Sequence, residues 1–404
     1  MKESIRYLIL AFAVIAVIAI MVVWKKNDRE AAFEDLRTRF DAEISITEED
    51  FYVGCSSERL VDLIEFSRGL ERAGEPTILD LTGAPKLETL AGIGRLITLH
   101  SVIAIDCPSL VSASGVARHP KLRELVFTES ASLADISDVR EIKTLETLDL
   151  SGCVELGAVP VEELPSLENL YLSRCRRVEL LDVTPFPTLR QLYLDGCAGL
   201  VELNGLGKLS ELTDLDLSNS TALNQINGIE NLENLVVLDL RNVALSDFSG
   251  VGSLPSLRVL RMGGQESIET LEVFSGLSEL REIHLEACAN LRSLKGIPST
   301  VSQYAGFTHC PQLQSIEGIE GATNLEQLDL TGCENLDDIA PVKALENLVQ
   351  LSLVNCRKVT DLEPVEALEK LVIVMLGGSG VVPAAVESLD PANEEIIFDF
   401  AVSN

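Results

Sequence analysis

Pairs of leucines two positions apart recur along most of this chain, and each pair is followed by a small or weakly polar residue three positions on and then by another leucine. The unit is plain in Leu148-Asp-Leu150-Ser-Gly-Cys153-Val-Glu-Leu156, in Leu170-Tyr-Leu172-Ser-Arg-Cys175 and in Leu328-Asp-Leu330-Thr-Gly-Cys333-Glu-Asn-Leu336. Side chains alternate along a strand, so both leucines of a pair turn to one face. The position three past the second leucine, here called the slot, falls at Ala84, Cys107, Ser130, Cys153, Cys175, Cys197, Ser220, Val243, Gln265, Cys288, Cys310, Cys333, Cys356 and Ser379. Every interval between successive slots is 22 or 23 residues.

After each strand the chain reads L-x-x-[LI]-x-[GP]-[ILV]-x-x-L, as in Leu200-Val-Glu-Leu203-Asn-Gly205-Leu206. The eighth residue past the slot is Gly at 92, 115, 205, 228, 296 and 318 and Pro at 341 and 364, residues that suit a chain reversal into a short helical or extended return arm. One such coil cannot bury its own leucines. Stacked coils hide them in a continuous core, which predicts a solenoid whose ends need covers.

These residues resemble the leucine-rich repeats over about residues 76 to 404. The segment Val359-Thr-Asp361-Leu-Glu-Pro364-Val-Glu-Ala-Leu368 is similar to the I-x-D-I-x-P-L-x-x-L of the short bacterial repeats typified by internalins. That class usually carries Asn in the slot, whereas the cysteines here look like the cysteine-type repeats of other leucine-rich families. The resemblance implies an α/β solenoid, a right-handed superhelix with one long parallel concave sheet of about 14 strands. It also implies a role in binding other macromolecules, without implying any one partner.

Eight of the nine cysteines, Cys107, Cys153, Cys175, Cys197, Cys288, Cys310, Cys333 and Cys356, occupy slots. A small, weakly polar thiol fits a tight interior turn and buries at little cost, so these are expected to be inward rungs of a structural ladder. Metal binding or disulfide chemistry is the alternative, but a 22 or 23 residue spacing is far from C-x-x-C. Cys55, in Val53-Gly-Cys55-Ser-Ser57, stands outside the ladder and has no account beyond packing in the cap.

Composition changes the picture at the ends and on the surface. Residues 7 to 24 are eighteen positions without a charge, bracketed by Arg6 and by Lys25-Lys26. At about 1.5 Å per residue the stretch reaches about 27 Å, enough for a bilayer's hydrocarbon core. Either a transmembrane helix or a signal peptide fits. Apolar residues continue past the one plausible cleavage motif, Val17-Ile-Ala19, which favours an uncleaved anchor and a domain boundary near residue 27. Lys25, Lys26, Arg29, Arg37 and Arg39 after the span favour a cytoplasmic solenoid, yet the basic leader before an apolar run resembles an export signal, and the expectation is an extracytoplasmic one. Residues 28–75 lack the repeat. Helix-like spacing over Glu30 to Phe40 and Ser57 to Ala73 predicts a helical cap for the first coil, and Ile396-Ile-Phe-Asp-Phe400 predicts a closing strand.

The formal net charge of −31, from 63 acidic and 32 basic side chains, makes nucleic acid and anionic lipid surfaces poor partners. A cationic protein or peptide is the complementary class, held in a salt-dependent way. The candidate surface is the strand face opposite the leucines. Its central column, four residues before each slot, reads Asp80, Ile103, Val126, Asp149, Tyr171, Tyr193, Asp216, Asp239, Arg261, His284, Gly306, Asp329, Ser352 and Met375, with Asp195, Asp214, Arg241, Glu282, Glu286 and Tyr304 in the columns beside it. Tyrosine and arginine on rigid strands carry interface energy because they offer large contact area with few rotors to freeze. Tyr171 and Tyr193 fall on adjacent coils, where strand spacing puts their rings about 5 Å apart.

Catalytic signatures find little support. The four histidines form no H-E-x-x-H, and neither a G-x-S-x-G elbow nor a G-x-x-x-x-G-K-[ST] phosphate loop occurs. The nearest constellation, His284 between Glu282 and Glu286 with Asp239, arises readily on any exposed strand. No cofactor is called for. The reading is a membrane-anchored, non-catalytic protein whose sheet recognises a protein or peptide. Its rivals are an envelope scaffold without a discrete ligand and, third, an enzyme acting through the His284 region.

Overall fold

A computed structural model of the chain describes residues 25–47, 50–159, 164–389 and 395–401. The anchor expected at residues 7–24 lies outside them, and among the described residues no helix is long and apolar enough to cross a membrane. The chain divides into two compact units, Met1–Leu156 with Glu162–Leu167 and Gly157–Val161 with Glu168–Asn404.

The first unit opens with a helix over 25–40 (α1), whose Ala32, Leu36 and Phe40, four residues apart, are its buried stripe. A hairpin that the spacing does not announce follows. β1 (Glu43–Ile46) pairs antiparallel with β2 (Phe51–Gly54). From β2 onward the sheet is parallel, through β3 (Ile78–Asp80), β4 (Ser101–Ile103), β5 (Glu124–Val126) and β6 (Thr147–Asp149). The repeat geometry therefore already holds in β2, where Val53 pairs with Leu79 in the inward column. Cys55 stands two residues on in that same inward sense, 4% exposed, with its thiol donating to the Phe40 carbonyl at 3.1 Å.

The second cap helix starts later than its apolar spacing predicts. Residues 57–63 form the back of a coil instead: Leu60 N–H donates to Ser57 O at 3.1 Å, and Leu63 N–H is taken by Ala91 O at 3.0 Å. Only at Ile64 does α2 (Ile64–Ala73) begin, its first N–H accepted by the Asp62 carboxylate, and it ends at Gly74 in the left-handed region.

In the second unit β7 (Asn169–Tyr171), β9 (Gln191–Tyr193), β11 (Asp214–Asp216), β12 (Val237–Arg241), β13 (Val259–Gly263), β14 (Glu282–Glu286), β15 (Tyr304–Thr308), β16 (Gln327–Asp329), β17 (Gln350–Ser352), β18 (Ile373–Met375) and β19 (Ile397–Asp399) form one long parallel sheet. β8 (Leu180–Asp182) and β10 (Glu202–Asn204) pair separately on the return path. A short helix, α3 (Pro383–Glu387), precedes β19, the closing strand that the sequence leads one to expect. The return arms are single 3-10 turns such as Ile93–Arg95, Leu206–Lys208 and Ile319–Gly321.

Why the reversals need glycine is visible at Gly296 and Gly318. Their φ values are +92° and +103°, and an added Cβ would lie 2.4 Å from Glu272 Cα and 2.6 Å from Lys295 Cα, so the preceding coil leaves no room for a side chain. The coils with Pro341 and Pro364 turn differently. There Asp338 and Asp361 accept the N–H groups of Ala340 and Glu363, and the proline sits in the first positions of the 3-10 turn.

All eight slot cysteines are fully buried thiols. Five of them donate to the preceding coil, while Cys288 and Cys310 turn to carbonyls two residues back in their own coils, those of Glu286 and Thr308. Cys107, Cys153, Cys197, Cys333 and Cys356 point their sulfurs at the carbonyls of Leu81, Phe127, Leu172, Phe307 and Leu330, each three residues before the slot of the preceding coil. Ser130 and Ser220 give the same bond to Ala104 and Leu194 at 2.7 Å. Val243 cannot donate. The following slot keeps the pattern with an amide: Gln265 reaches Leu240 O, and also the carbonyls of Val243 and Gly263. Burial pushes the thiols of Cys153, Cys197 and Cys356 up to about 12, so they stay protonated donors at any ordinary pH.

A second consequence of the period is a left-handed residue just before every slot. Gly83, Gly152, Gly196, Gly264, Gly332 and Gly378 take it, as do Asn219, Asn242 and Asn355, but so do Asp106, Glu129, Arg174, Ala287 and His309 at φ between 51° and 62°. The non-glycine residues are strained at these positions.

Two predictions follow from this packing. Cys153→Ser retains a donor toward Phe127 O and is expected to change the urea unfolding midpoint little, whereas Cys153→Ala lowers stability by about 1 kcal/mol; equal losses in the two variants would refute a role for the bond. The second concerns His119, 4% exposed, whose Nε2–H donates to Leu96 O at 2.8 Å while Nδ1 is buried without a partner. Burial lowers its pKa below the ordinary value. The neutral ring therefore contributes stability that is complete above about pH 6.5 and lost as pH falls below it, with a slope of at most about 1.4 kcal/mol per pH unit. Unfolding measured between neutral and mildly acid pH should show a shallower loss in His119→Gln than in the parent.

Candidate functional site

Strand pairing sets the column four residues before the slot in register within each unit. In the second unit Tyr171 faces Tyr193, Tyr193 faces Asp216, and the succession runs Asp239, Arg261, His284, Gly306, Asp329 across neighbouring strands. Asp149 belongs to the first unit, where it follows Asp80, Ile103 and Val126. The partner-binding residues read from sequence lie on the strand face away from the leucine core, where Asp239 is buried.

Their surroundings separate them into two kinds. The aspartates of the central column are turn formers. Asp80, Asp149, Asp216, Asp239 and Asp329 each accept the N–H two residues later, that of Thr82, Ser151, Ser218, Arg241 and Thr331, at 2.8 to 3.1 Å. This local carboxylate bond satisfies an N–H at the turn into the slot, although β12 runs on past Asp239 to Arg241. A repeated Asp-x-[Ser/Thr] was the available signal, and charge alone hid it. Asp149 further accepts Thr128 Oγ1 at 3.0 Å, Asp195 accepts Ser173 Oγ, and Asp214 accepts Thr213 Oγ1 at 2.6 Å.

Asp239 goes furthest. It is 3% exposed, and Arg241 folds back onto it with Nε at 3.0 Å from both carboxylate oxygens and a terminal nitrogen at 2.6 Å. The bond to Asp239 holds the Arg241 pKa above its ordinary value. Burial raises the Asp216 pKa, the Ser218 N–H opposes it, and the charges of Asp239 and Asp195 add to it.

The remaining residues offer contact surface. The rings of Tyr171 and Tyr193 are 5.2 Å apart and tilted by 33°, close to the separation that strand spacing dictates. Tyr171 Oη donates to Gln191 Oε1 at 2.6 Å. His284 stacks on Tyr304 at 4.4 Å and 22°, with Nε2 3.2 Å from Glu282 Oε2. Burial is the main cause of its lowered pKa, with Arg261 nearby acting in the same sense, so the ring is neutral at pH 7. Tyr304 Oη donates to Asp329 at 3.2 Å, and burial chiefly raises its pKa. Glu286 is exposed on the rim. Among the described residues no group of three or more His, Cys, Asp or Glu side chains is placed to hold a metal ion.

Arg241→Ala should cost more stability than Asp239→Asn, about 2 kcal/mol against about 1, because the first strands a buried carboxylate and the second leaves a half-exposed guanidinium in water. Chemical denaturation of the two variants and their double mutant gives the order directly, and a reversed order would contradict it.

No family model matches the chain, and no curated protein matches it. Among solved structures an internalin (inlF) of Listeria monocytogenes shares the fold at a TM-score of 0.60 and 17% identity, covering 81% of this chain and 87% of its own. The protein of the TLR13-ssRNA13 complex does so at 0.57 and 17%, covering 79% of this chain and 52% of that one. The InlJ domain of Listeria monocytogenes, described as including a cysteine ladder, has a TM-score of 0.41 and 16% identity over 74% of this chain and 72% of its own, too loose a superposition to bear on these cysteines. The likeness at these identities establishes the leucine-rich-repeat fold and leaves the ligand to the residues of this chain.

Proposed function

We infer that this chain is a binding protein that recognises a protein or peptide on the open face of the second unit's sheet. One observation carries the reading. Tyr193, Arg261, His284 and Tyr304 stand half-exposed on strands whose backbones are paired on both sides, and Tyr171 on the strand paired to that of Tyr193, so rotor-poor side chains are presented on a rigid surface. A scaffold without a ligand has no use for stacked rings at its most polar face. The ssRNA named for the TLR13 complex is a poor model for the ligand here, since a net charge of −31 repels a polyanion. Acidic side chains on the same face suit a partner that is cationic overall.

The reading is non-catalytic: the one histidine on this face is engaged with Glu282 and Tyr304 in a stacked, half-buried arrangement. It also includes residues 7–24 as a membrane anchor with the solenoid outside the cytoplasm, supported by the charge-free apolar stretch. Protease accessibility in intact cells reports the side.

Affinity capture with the full-length chain in detergent at low salt should retain a partner that Tyr171→Ala combined with Tyr193→Ala loses by at least about tenfold, with an unchanged melting temperature. Rising salt should weaken the capture. Undiminished capture by the double variant would move the binding surface elsewhere.

A further inference from the structure

The second unit's sheet is widest at β12, β13, β14 and β15, which carry five residues each where the neighbouring strands of the sheet carry three. One cation on this stretch lacks a counterpart. Arg241 is closed onto Asp239, but Arg261, one strand on and half-buried, makes no ion pair or side-chain hydrogen bond among the described residues. In a chain with 63 acidic residues that is not for want of carboxylates. The carboxylates on the two flanking strands nearest in register are engaged, Asp239 with Arg241 and Glu282 with His284, while Glu286 lines the same cleft but stands exposed at its rim without pairing to Arg261. A guanidinium has five N–H donors and no acceptor, and holding it half out of water without an acceptor is unfavourable.

Beside it lies a cleft of about 220 Å³ lined by Arg241, Arg261, His284, Glu286, Tyr304 and Thr308. Its space depends on Gly306, where a Cβ would meet the Tyr304 ring at 2.6 Å. The missing side chain lets Tyr304 lie across its own strand, stack on His284 and fix its hydroxyl on Asp329. A rigid aromatic wall therefore stands next to an unfilled fork of donors.

The geometry points to Arg261 as the anchor for a single carboxylate of a peptide that is otherwise basic, laid across β11 to β15. This rests on the open face being the binding surface. A carboxylate matches the planar fork with two parallel bonds. A phosphate would bring a second negative charge close to Glu282, Glu286 and Asp216, which repel it. Those acids, with Asp214, receive the ligand's basic residues. Asp216 is two strands from Arg261, about 10 Å at the usual strand spacing, and an extended peptide covers that in about three residues. The ligand pattern is one acid with a lysine or arginine three or four positions away.

A random short-peptide display library, selected at low salt on the full-length chain in detergent, tests this. Enriched peptides should carry that acid-to-base spacing, and Arg261→Gln should weaken their synthetic copies by about tenfold or more, as should converting the peptide acid to its amide, with no further loss when both are changed. Arg261→Lys keeps the charge without the fork and should fall between, and it serves as the test variant if the glutamine variant melts lower. Amidating the peptide's carboxyl terminus tells a terminal carboxylate from a side chain, either of which upholds the anchor. Peptides lost on Tyr193→Ala but indifferent to Arg261→Gln overturn the carboxylate anchor and leave open-face recognition standing. Peptides indifferent to both, or no retained peptide, count against both.

Discussion

The constraint on which the structure depends is that every coil must bury a turn, and the turn carries a carbonyl that the next coil has to meet. The carbonyl three residues before a slot already accepts the slot's own N–H, as Leu81 O does from Ala84 and Phe127 O from Ser130. A second lone pair remains, buried among the apolar side chains of the core. At Cys107, Ser130, Cys153, Cys197, Ser220, Gln265, Cys333 and Cys356 a thiol, hydroxyl or amide from the following coil fills it, which explains why cysteine alternates with serine and glutamine in this position. The bond links coil to coil. A repeat of 22 or 23 residues is thus held in step by a polar contact inside the apolar core, and leucine packing alone would tolerate slippage that this contact does not.

The same period divides labour on the opposite face. Aspartate four residues before the slot accepts the N–H two residues on, and where it does so it contributes charge to the face as a by-product of folding. Where the column instead holds tyrosine, arginine, histidine or glycine, the strand ends without that carboxylate. In β12 to β15 the ladder runs two residues longer, past Asp239 as past Arg261, His284 and Gly306. Departures from aspartate run along the whole column, but they differ in kind: Ile103, Val126 and Met375 are apolar, whereas Tyr171, Tyr193, Arg261 and His284 are aromatic or cationic.

The repeat, the inward cysteines, the in-register column and the tyrosine stack were all legible in the sequence, because each follows from a period of two within a period of 22 or 23. What escaped was set by contacts that no local spacing encodes. The hairpin of β1 and β2 belongs to the end of the stack, where Ile44 and Ile46 alternate too briefly to announce a strand. Residues 57–63 have helical spacing, yet hydrogen bonding to Ala91 draws them into a coil, a tertiary override of local preference. The left-handed residue before each slot is signalled by glycine or asparagine at many coils, but Arg174, Ala287 and His309 conceal it. Nor could the sequence tell that Arg241 would fold back on Asp239 while Arg261 would not, since both are arginines on adjacent strands of an acidic face.

That last difference bears most directly on recognition. With 63 acidic side chains the field of the whole chain draws cations from a distance and sets rates of encounter. Attraction of that kind does not fix how a bound peptide is placed, because many carboxylates offer equivalent positions to one lysine. A single unfilled guanidinium among them is a unique position. Under the binding mode proposed above it would lower affinity for a purely cationic ligand and raise it for one that brings a carboxylate at the right distance, so that long-range charge would select the class of partner and Arg261 the register within that class.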